Sequence, residues 1–344
     1  MRTVALKIGI LASEGSWYFK DLQRAALASG HDCVRLEFDR LVAHVGRRGA
    51  RISAVLPENS ATDSHAASRE TSLPLDDCDV ILVRTMPPGS LEQVVYRMDV
   101  LGRLEASGVR IVNSPRSLEC AVDKYLTTAK LHAAGLPIPE TIVCEHEDDA
   151  MAAFEQLGRD VVVKPLFGAE GRGIVRVSDP DLAHRTFRTL MRLQAMLYLQ
   201  KFIDHGGFDV RVLVLSGIVV GAIRRSSPDD FRTNVSRNAC AEKHLATCEE
   251  CEFAVRAAEA TGAYIAGVDL LYDREGNCYV IEVNGVPGWQ AFTRTTGIDV
   301  AKRLIESLRV TQSHQPAVAA LGGVGDNARP QPSPGIQFQN EANL

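Results

Sequence analysis

The chain has 344 residues, 45% of them hydrophobic and 24% charged, with a formal net charge of −5; that is enough apolar mass for two or three packed units, and it argues against nucleic acid as a bulk electrostatic partner. No run reads as a transmembrane segment, and the N-terminus leads straight into a strand-like Lys7 to Leu11 without a separate hydrophobic core and cleavage site, so a cytoplasmic protein with no membrane partner is expected. Eight scattered cysteines then read as free thiols rather than a disulfide framework.

The first 113 residues alternate strand and helix: strands over 7–12, 33–38, 79–84 and 109–113, helices over 19–29 and 90–106. This predicts a small open α/β domain. Between Asp39 and Asp77 the pattern dissolves, and Pro57 to Pro74 is rich in Ser, Ala and Thr, which predicts a mobile excursion over about 40–77. Glu14-Gly15-Ser16-Trp17 follows the first strand, where ligands meet open α/β sheets. Arg84, at the end of a later strand, is placed either to bind a substrate carboxylate there or to be a plain surface residue.

Asp160 to Val177, DVVVKPLFGAEGRGIVRV, reads as strand, glycine-rich loop, strand. In a Walker A loop the lysine follows the glycines and opens a helix; here Lys164 precedes Gly168, Gly171 and Gly173 and ends a strand. Lys164 would therefore reach phosphates from a strand while backbone N–H groups of the loop cover them. An apolar run, Leu197 to Ile203, comes next, followed by the alternating Asp209 to Val214, which puts Asp209 and Arg211 on one face and Val210 and Val212 on the other. After a strand over 218–224, the segment RRSSPDDFRTNVSRN carries Arg224, Arg225, Arg232 and Arg237 with Asn234. Singly these are solvated charges, but as a set they suit phosphate and carboxylate oxygens.

Tyr264 to Gly288 predicts a β-hairpin, with strands over 265–273 and 278–284 around Arg274-Glu275-Gly276-Asn277. If Asp273 pairs with Cys278, Asp269 falls opposite Glu282, and Asn284 shares the face of Glu282 while Ile281 and Val283 point to the core. Two carboxylates and a carboxamide between apolar flanks require a cation, and hard oxygen donors suit Mg²⁺ shared with substrate phosphates. Cys240, His244, Cys248 and Cys251 have a zinc-like spacing, but Cys248 and Cys251 open an amphipathic helix over 248–261 and no metal is assigned to them. The last 34 residues, from Thr311, are rich in Pro, Gly, Gln and Asn without periodicity, which predicts disorder.

In order and spacing, Asn113-Ser114-Pro115, DKYLTTAKLHAAGLPIPET, VVVKPLFGAEGRGI, LQKFI, DVRVLV, DDFRTN, AGVDLL, IEVNGVPG and TTGID resemble the ATP-grasp superfamily, and within it the RimK-type α-L-glutamate ligases. The resemblance covers roughly 113–310. It implies an α/β (α+β ATP-grasp) fold: an N-terminal domain over 1–113, a central subdomain over 114–190, a C-terminal subdomain over 191–310, and ATP between the last two. It implies that Lys124 and Lys164 grip the phosphates and that Gln200, Lys201, Phe202 and Ile203 form the segment contacting adenine through backbone groups. Asp209 would hold the ribose, Arg232, Asn234 and Arg211 would serve the reacting groups, and Asp269, Glu282 and Asn284 would bind two Mg²⁺ (or Mn²⁺) ions. Two departures stand out: Lys201 where the family often has glutamate, and Asn238-Ala239 where it has a glycine pair near the acyl group.

The implied reaction is ATP-dependent amide formation: phosphoryl transfer to an acceptor carboxylate, then attack by an amine, by resemblance that of L-glutamate. No protein nucleophile is required. The expected partners are ATP, L-glutamate and a carboxylate-bearing acceptor, with no nucleic acid; a homo-oligomer is compatible with this reading. The MPPG-x-LEQVVYRMDVL and EVNGVPGWQ segments look most like homologues acting on tetrahydromethanopterin-type one-carbon cofactors. The alternatives are a ligase for a protein tail or an amino-acid or peptide substrate, and a nucleotide-binding regulatory protein without turnover.

Overall fold

A computed structural model describes residues 5–47, 49–56, 72–168, 172–227 and 240–309 of the protein. β1 (Lys7–Leu11) is buried over its last four residues, as befits a central parallel strand covered on both faces. α1 (Trp17–Ala28), capped where the Ser16 hydroxyl accepts from the Phe19 N–H at 3.3 Å, returns the chain to β2 (Asp32–Leu36).

Next come β3 (Leu41–Gly46), β4 (Gly49–Val55) and β5 (Ser72–Pro74), a small antiparallel sheet. The expected excursion over about 40–77 is corrected by these strands. Leu41, Ile52 and Ala54 pack with Phe38 and Leu75 in a core cluster, but β3 buries only its first residue, so no alternation appears in the sequence. Residues 57–71 lie outside the described residues.

β6 (Val80–Val83), α2 (Leu91–Ala106) and β7 (Arg110–Val112) complete the first sheet. Its strands are parallel in the order β2-β1-β6-β7. Chain order reverses between β1 and β6.

α3 (Pro115–Val122) and α4 (Lys124–Ala133) lead into a second, antiparallel sheet of order β10-β9-β11-β8. Its members are β8 (Thr141–Cys144), β9 (Val161–Lys164), β10 (Val175–Val177) and β11 (Leu197–Lys201). α5 (Glu147–Gln156) and α6 (Pro180–Arg192) cover one face, where Phe154 meets Phe187 edge-on at 6.4 Å. Two-residue periodicity sorts the strands: Val161, Val163, Leu197 and Leu199 go under the helices, and Val162, Lys164, Tyr198 and Gln200 are left for the opposite face. Because β11 pairs with both β8 and β9, this sheet extends to Lys201, past the bound at 190 drawn from sequence.

The third sheet is antiparallel, in the order β14-β13-β12-β15-β16: β12 (Phe208–Leu215), β13 (Ile218–Ser226), β14 (Cys240–His244), β15 (Ile265–Tyr272) and β16 (Cys278–Asn284). α7 (Cys248–Thr261) starts in a Thr247/Glu250 capping box and stops at Gly262, whose φ is +71°. It packs Ala254, Ala257 and Ala258 against Val210, Val212, Val214 and Val268. α8 (Gln290–Thr296) and α9 (Val300–Ser307) then close back: Val300, Leu304 and Ile305 share a core with Leu22, Ala25 and Ala26 of α1. No described helix is long and apolar enough to cross a membrane.

Candidate active site

The uncovered face of the second sheet and the third sheet border a cleft of about 1080 Å³, open mouth included. Lys164, the last residue of β9, puts its ammonium there because its strand neighbours Val161 and Val163 alternate to the opposite face. Its Nζ donates to Gln200 Oε1 at 2.6 Å, and Gln200 Nε2 donates in turn to Thr141 Oγ1 at 3.0 Å. Lys124 opens α4, held by Asp123, whose carboxylate accepts from the Leu126 N–H at 3.0 Å. Its Nζ donates to the Gly168 carbonyl at 2.8 Å. Burial pushes both ammonium groups down, Lys164 to about 8, against the opposing pull of Glu282.

Asp269 of β15 faces Glu282 of β16, as the sequence predicts, but by a different route. Tyr272, not Asp273, pairs with Cys278, and a bulge beside Asp269 restores the Asp269–Glu282 pairing. The extra residue is Ile281, which lines the cleft; the expectation that it points to the core is corrected, because a bulge suspends strict alternation. Val283 is fully buried as expected. Asn284 Nδ2 lies 3.4 Å from Asp269 Oδ2 and donates to the Gly267 carbonyl at 3.2 Å.

A chain of alternating charge runs behind these side chains. Arg211 forks onto Asp269 at 2.7 and 2.6 Å, Arg225 reaches Asp269 at 3.1 Å, and Arg225 also grips Asp209 at 2.7 Å. Burial would raise the Asp269 pKa, but Arg211 and Arg225 outweigh it and hold the carboxyl below its usual range. Glu282 goes the other way: burial and the charge of Asp269 raise it, against Lys124, Lys164 and Arg211. Asp269, Glu282 and the Asn284 carboxamide are a hard-oxygen set that fits Mg²⁺, and the arginines supply positive charge to the same carboxylates.

The apolar end of the cleft includes Val162, Ile174, Phe202, Ile203, Leu271 and Ile281, walls suited to a planar base. Arg176 lies over the Phe202 ring at 3.5 Å, and Tyr198 shares a 2.8 Å hydrogen bond with Thr128. Tyr198 escaped the sequence reading although its signal was present: in LYLQKFI it alternates onto the face of Gln200. Lys201, Asp209 and Gly168 line this cleft with Lys124, Lys164, Gln200, Phe202 and Ile203; Gly173, in the same loop with φ +75°, is not among its lining residues. Gly171, Arg232 and Asn234 lie outside the described residues. The zinc alternative has no support: among the described residues no group of three or more His, Cys, Asp or Glu could hold a metal, and His244 turns to Glu250 at 2.8 Å.

Residues 121–308 match the RimK-like ATP-grasp domain, and residues 20–119 match the N-terminal domain of prokaryotic glutathione synthetase. The tetrahydromethanopterin:alpha-L-glutamate ligase of Methanosarcina acetivorans is 31% identical over 287 residues, covering 75% of this chain and 88% of that one. A probable alpha-L-glutamate ligase of Mannheimia succiniciproducens is 29% identical over 306 residues, covering 88% and 98%. Among solved structures, a RimK domain ATP-grasp protein from Sphaerobacter thermophilus superposes with a TM-score of 0.65 at 22% identity, over 87% of this chain and 98% of that one. The ATP-grasp ligase PsnB, complexed with minimal precursor, Mg and ADP, gives 0.65 at 20% identity over 90% and 98%. The chain belongs to the RimK-like ATP-grasp family, as an ATP-grasp ligase.

Proposed function

We propose that the protein joins L-glutamate to a carboxylate-bearing acceptor at the expense of ATP, the acceptor being a one-carbon cofactor of the tetrahydromethanopterin type. The observation that carries the ligase chemistry is the meeting in one cleft of Lys124 and Lys164 with the Asp269–Glu282 pair. The names of the relatives from Methanosarcina acetivorans and Methanococcus maripaludis support glutamate and the pterin acceptor.

A carboxylate has no leaving group, so the acceptor must first take the γ-phosphoryl of ATP. Bound at Asp269, Glu282 and Asn284, Mg²⁺ would neutralise charge on the transferring phosphoryl group; we propose two ions, with Mn²⁺ able to replace them. Lys164, steadied by Gln200, and Lys124 would hold the phosphate oxygens with fixed donors in a partly dry site, where such contacts are strongest. Arg211, held on Asp269 from β12, would act on the charge that develops on the acyl group. Phe202 and Ile203 would flank the base and Asp209 the ribose, with Arg232 and Asn234 near the phosphates. The amine of glutamate then attacks the acyl carbon and expels phosphate. We place this reaction in the cytoplasm, where ATP is supplied.

The test follows oxygen. With acceptor carboxylate labelled by ¹⁸O, each amide formed should send one ¹⁸O into the released phosphate. Unlabelled phosphate beside labelled product would rule out carboxylate activation.

A further inference from the structure

Arg84 directly follows β6, at the carboxyl end of an inner strand of the first sheet, where chain order reverses between β1 and β6, and open parallel sheets take ligands at such a point. The residue is only 8% exposed. Its guanidinium lies 4.1 Å from the Trp289 ring and 5.0 Å from the Tyr18 ring, and Nη2 donates to the Pro287 carbonyl at 2.7 Å. Nε is buried with no partner. Among the described residues no carboxylate pairs with it: Asp21, which reaches this spot from α1, already accepts from Trp289 Nε1 at 3.0 Å and from Arg24 at 2.7 Å. Burial lowers the Arg84 pKa only to about 10, so a cation sits here at neutral pH without a counter-charge from any described residue. That is a costly arrangement for a purely structural residue.

Two further elements converge on it. Tyr18 belongs to the first turn of α1, which presents the positive end of the helix dipole. Pro287 and Trp289 belong to the segment that leaves β16 just after Asn284, so the loop around Arg84 continues the strand that carries Glu282. Gly288 is what lets Tyr18 close on this loop: a Cβ there would stand 2.7 Å from the Tyr18 hydroxyl.

We propose that Arg84, with the first turn of α1 and the Pro287–Trp289 loop, is a subsite for a substrate carboxylate, anchoring it beside the ATP cleft. The assignment rests on the ligase reading above, and the carboxylate belongs either to the incoming amino acid or to the acceptor.

Trp17 and Trp289 are the chain's two tryptophans, and both pack on Tyr18, with ring centroids at 5.3 and 5.1 Å. Intrinsic fluorescence therefore reports on the subsite without turnover. The full chain is titrated with L-glutamate, glutarate and inorganic phosphate. A saturable change with a carboxylate is expected, and Arg84→Gln should weaken it by about tenfold or more while ATP affinity stays unchanged. A response to L-glutamate alone assigns the subsite to the incoming amino acid, and a response to glutarate assigns it to the acceptor. No response in the parent, a response to phosphate alone, or an unaltered constant in Arg84→Gln overturns the proposal. Should Arg84→Gln not fold, Arg84→Lys decides: it keeps the charge but loses the fork, so binding should be several-fold weaker, and equal binding overturns the subsite. Parallel ADP-release assays separate the two levels. Carboxylate binding without acceptor-dependent ADP release refutes the ligase reading, whereas ADP release with the same carboxylate dependence in Arg84→Gln refutes the subsite alone.

Discussion

Lys164 is a cation kept in a place that disfavours cations. Its pKa of about 8 arises from burial, opposed by Glu282, and its ammonium donates to the neutral Gln200. Polyanionic phosphates would supply the missing partner. Lys164→Ala should therefore weaken ATP binding by roughly 1.5–3 kcal/mol, and equal calorimetric affinity in mutant and parent would remove the residue from the nucleotide site. The sign of the pH effect follows from the same burial. From pH 8 up to the ordinary lysine range the unfolded chain holds a proton that the fold has shed, so the penalty of the buried charge is felt below pH 8 and relieved above it. ATP bound at Lys164 should reverse this preference, because its phosphates favour the protonated form. Affinity should fall as pH rises past 8, with net proton uptake on binding, read as a dependence of the calorimetric heat on buffer ionisation enthalpy; Lys164→Met should abolish the uptake. Glu282 is tested differently. Glu282→Gln preserves shape, so melting should change little, while ADP formation should drop steeply because a negative metal ligand is gone.

At the scale of elements, the β15–β16 hairpin is tied from outside by Asn113. Asn113, 1% exposed, donates to the Ile265 and Gly285 carbonyls and accepts from the Tyr264 and Ile265 N–H groups, so it ties the start of β15 to the end of β16. Asn113→Asp keeps the acceptors but turns a carboxylate oxygen toward two carbonyls. The variant should melt several degrees lower, since each buried group left unpaired costs about 1–3 kcal/mol, and it should regain stability at acid pH, where the carboxyl can donate again. A melting temperature that does not differ from the parent would show that the clamp contributes nothing. This clamp was beyond reach from sequence, because Asn113 is more than 150 positions from its partners. Local periodicity carried further. Alternation alone places Asp209 and Arg211 opposite Val210 and Val212, and apolar runs mark most strands within a residue or two. It fails where geometry departs from the repeat: at Ile281, displaced by a bulge, and in β3, an edge strand with one buried residue. The pairing of Asp209 with Arg225 was hidden for another reason. The two residues are 16 apart and meet across the β12–β13 ladder, which only a known register reveals.

At the scale of the whole molecule, the proposed nucleotide cleft is bordered by two sheets that named contacts bridge. Lys124, at the start of α4, crosses to the Gly168 carbonyl of the β9–β10 loop. The short connector between β11 and β12 touches the hairpin turn through a His205–Asp273 bridge and an Arg274–Asp204 pair at 3.3 Å. The latter is exposed and contributes little. ATP lying across the cleft would add contacts to both sides at once, from Lys164 on the second sheet and from the Asp269–Glu282 ladder on the third. Ligand that binds only the folded state stabilises it by mass action, about 2.7 kcal/mol at a hundredfold excess over Kd, which for a fold of this size raises the melting temperature by roughly 5 °C. The shift should require Mg²⁺, because without it the phosphates would face Asp269 and Glu282 unscreened, and EDTA should abolish most of it. It should also require both lysines: in Lys124→Ala/Lys164→Ala, which also leaves Glu282 without two compensating cations, ATP with Mg²⁺ should no longer raise the melting temperature above that of the same variant without nucleotide. An undiminished shift in that double variant would mean that the nucleotide binds elsewhere, and the assignment of this cleft to ATP would fall with it.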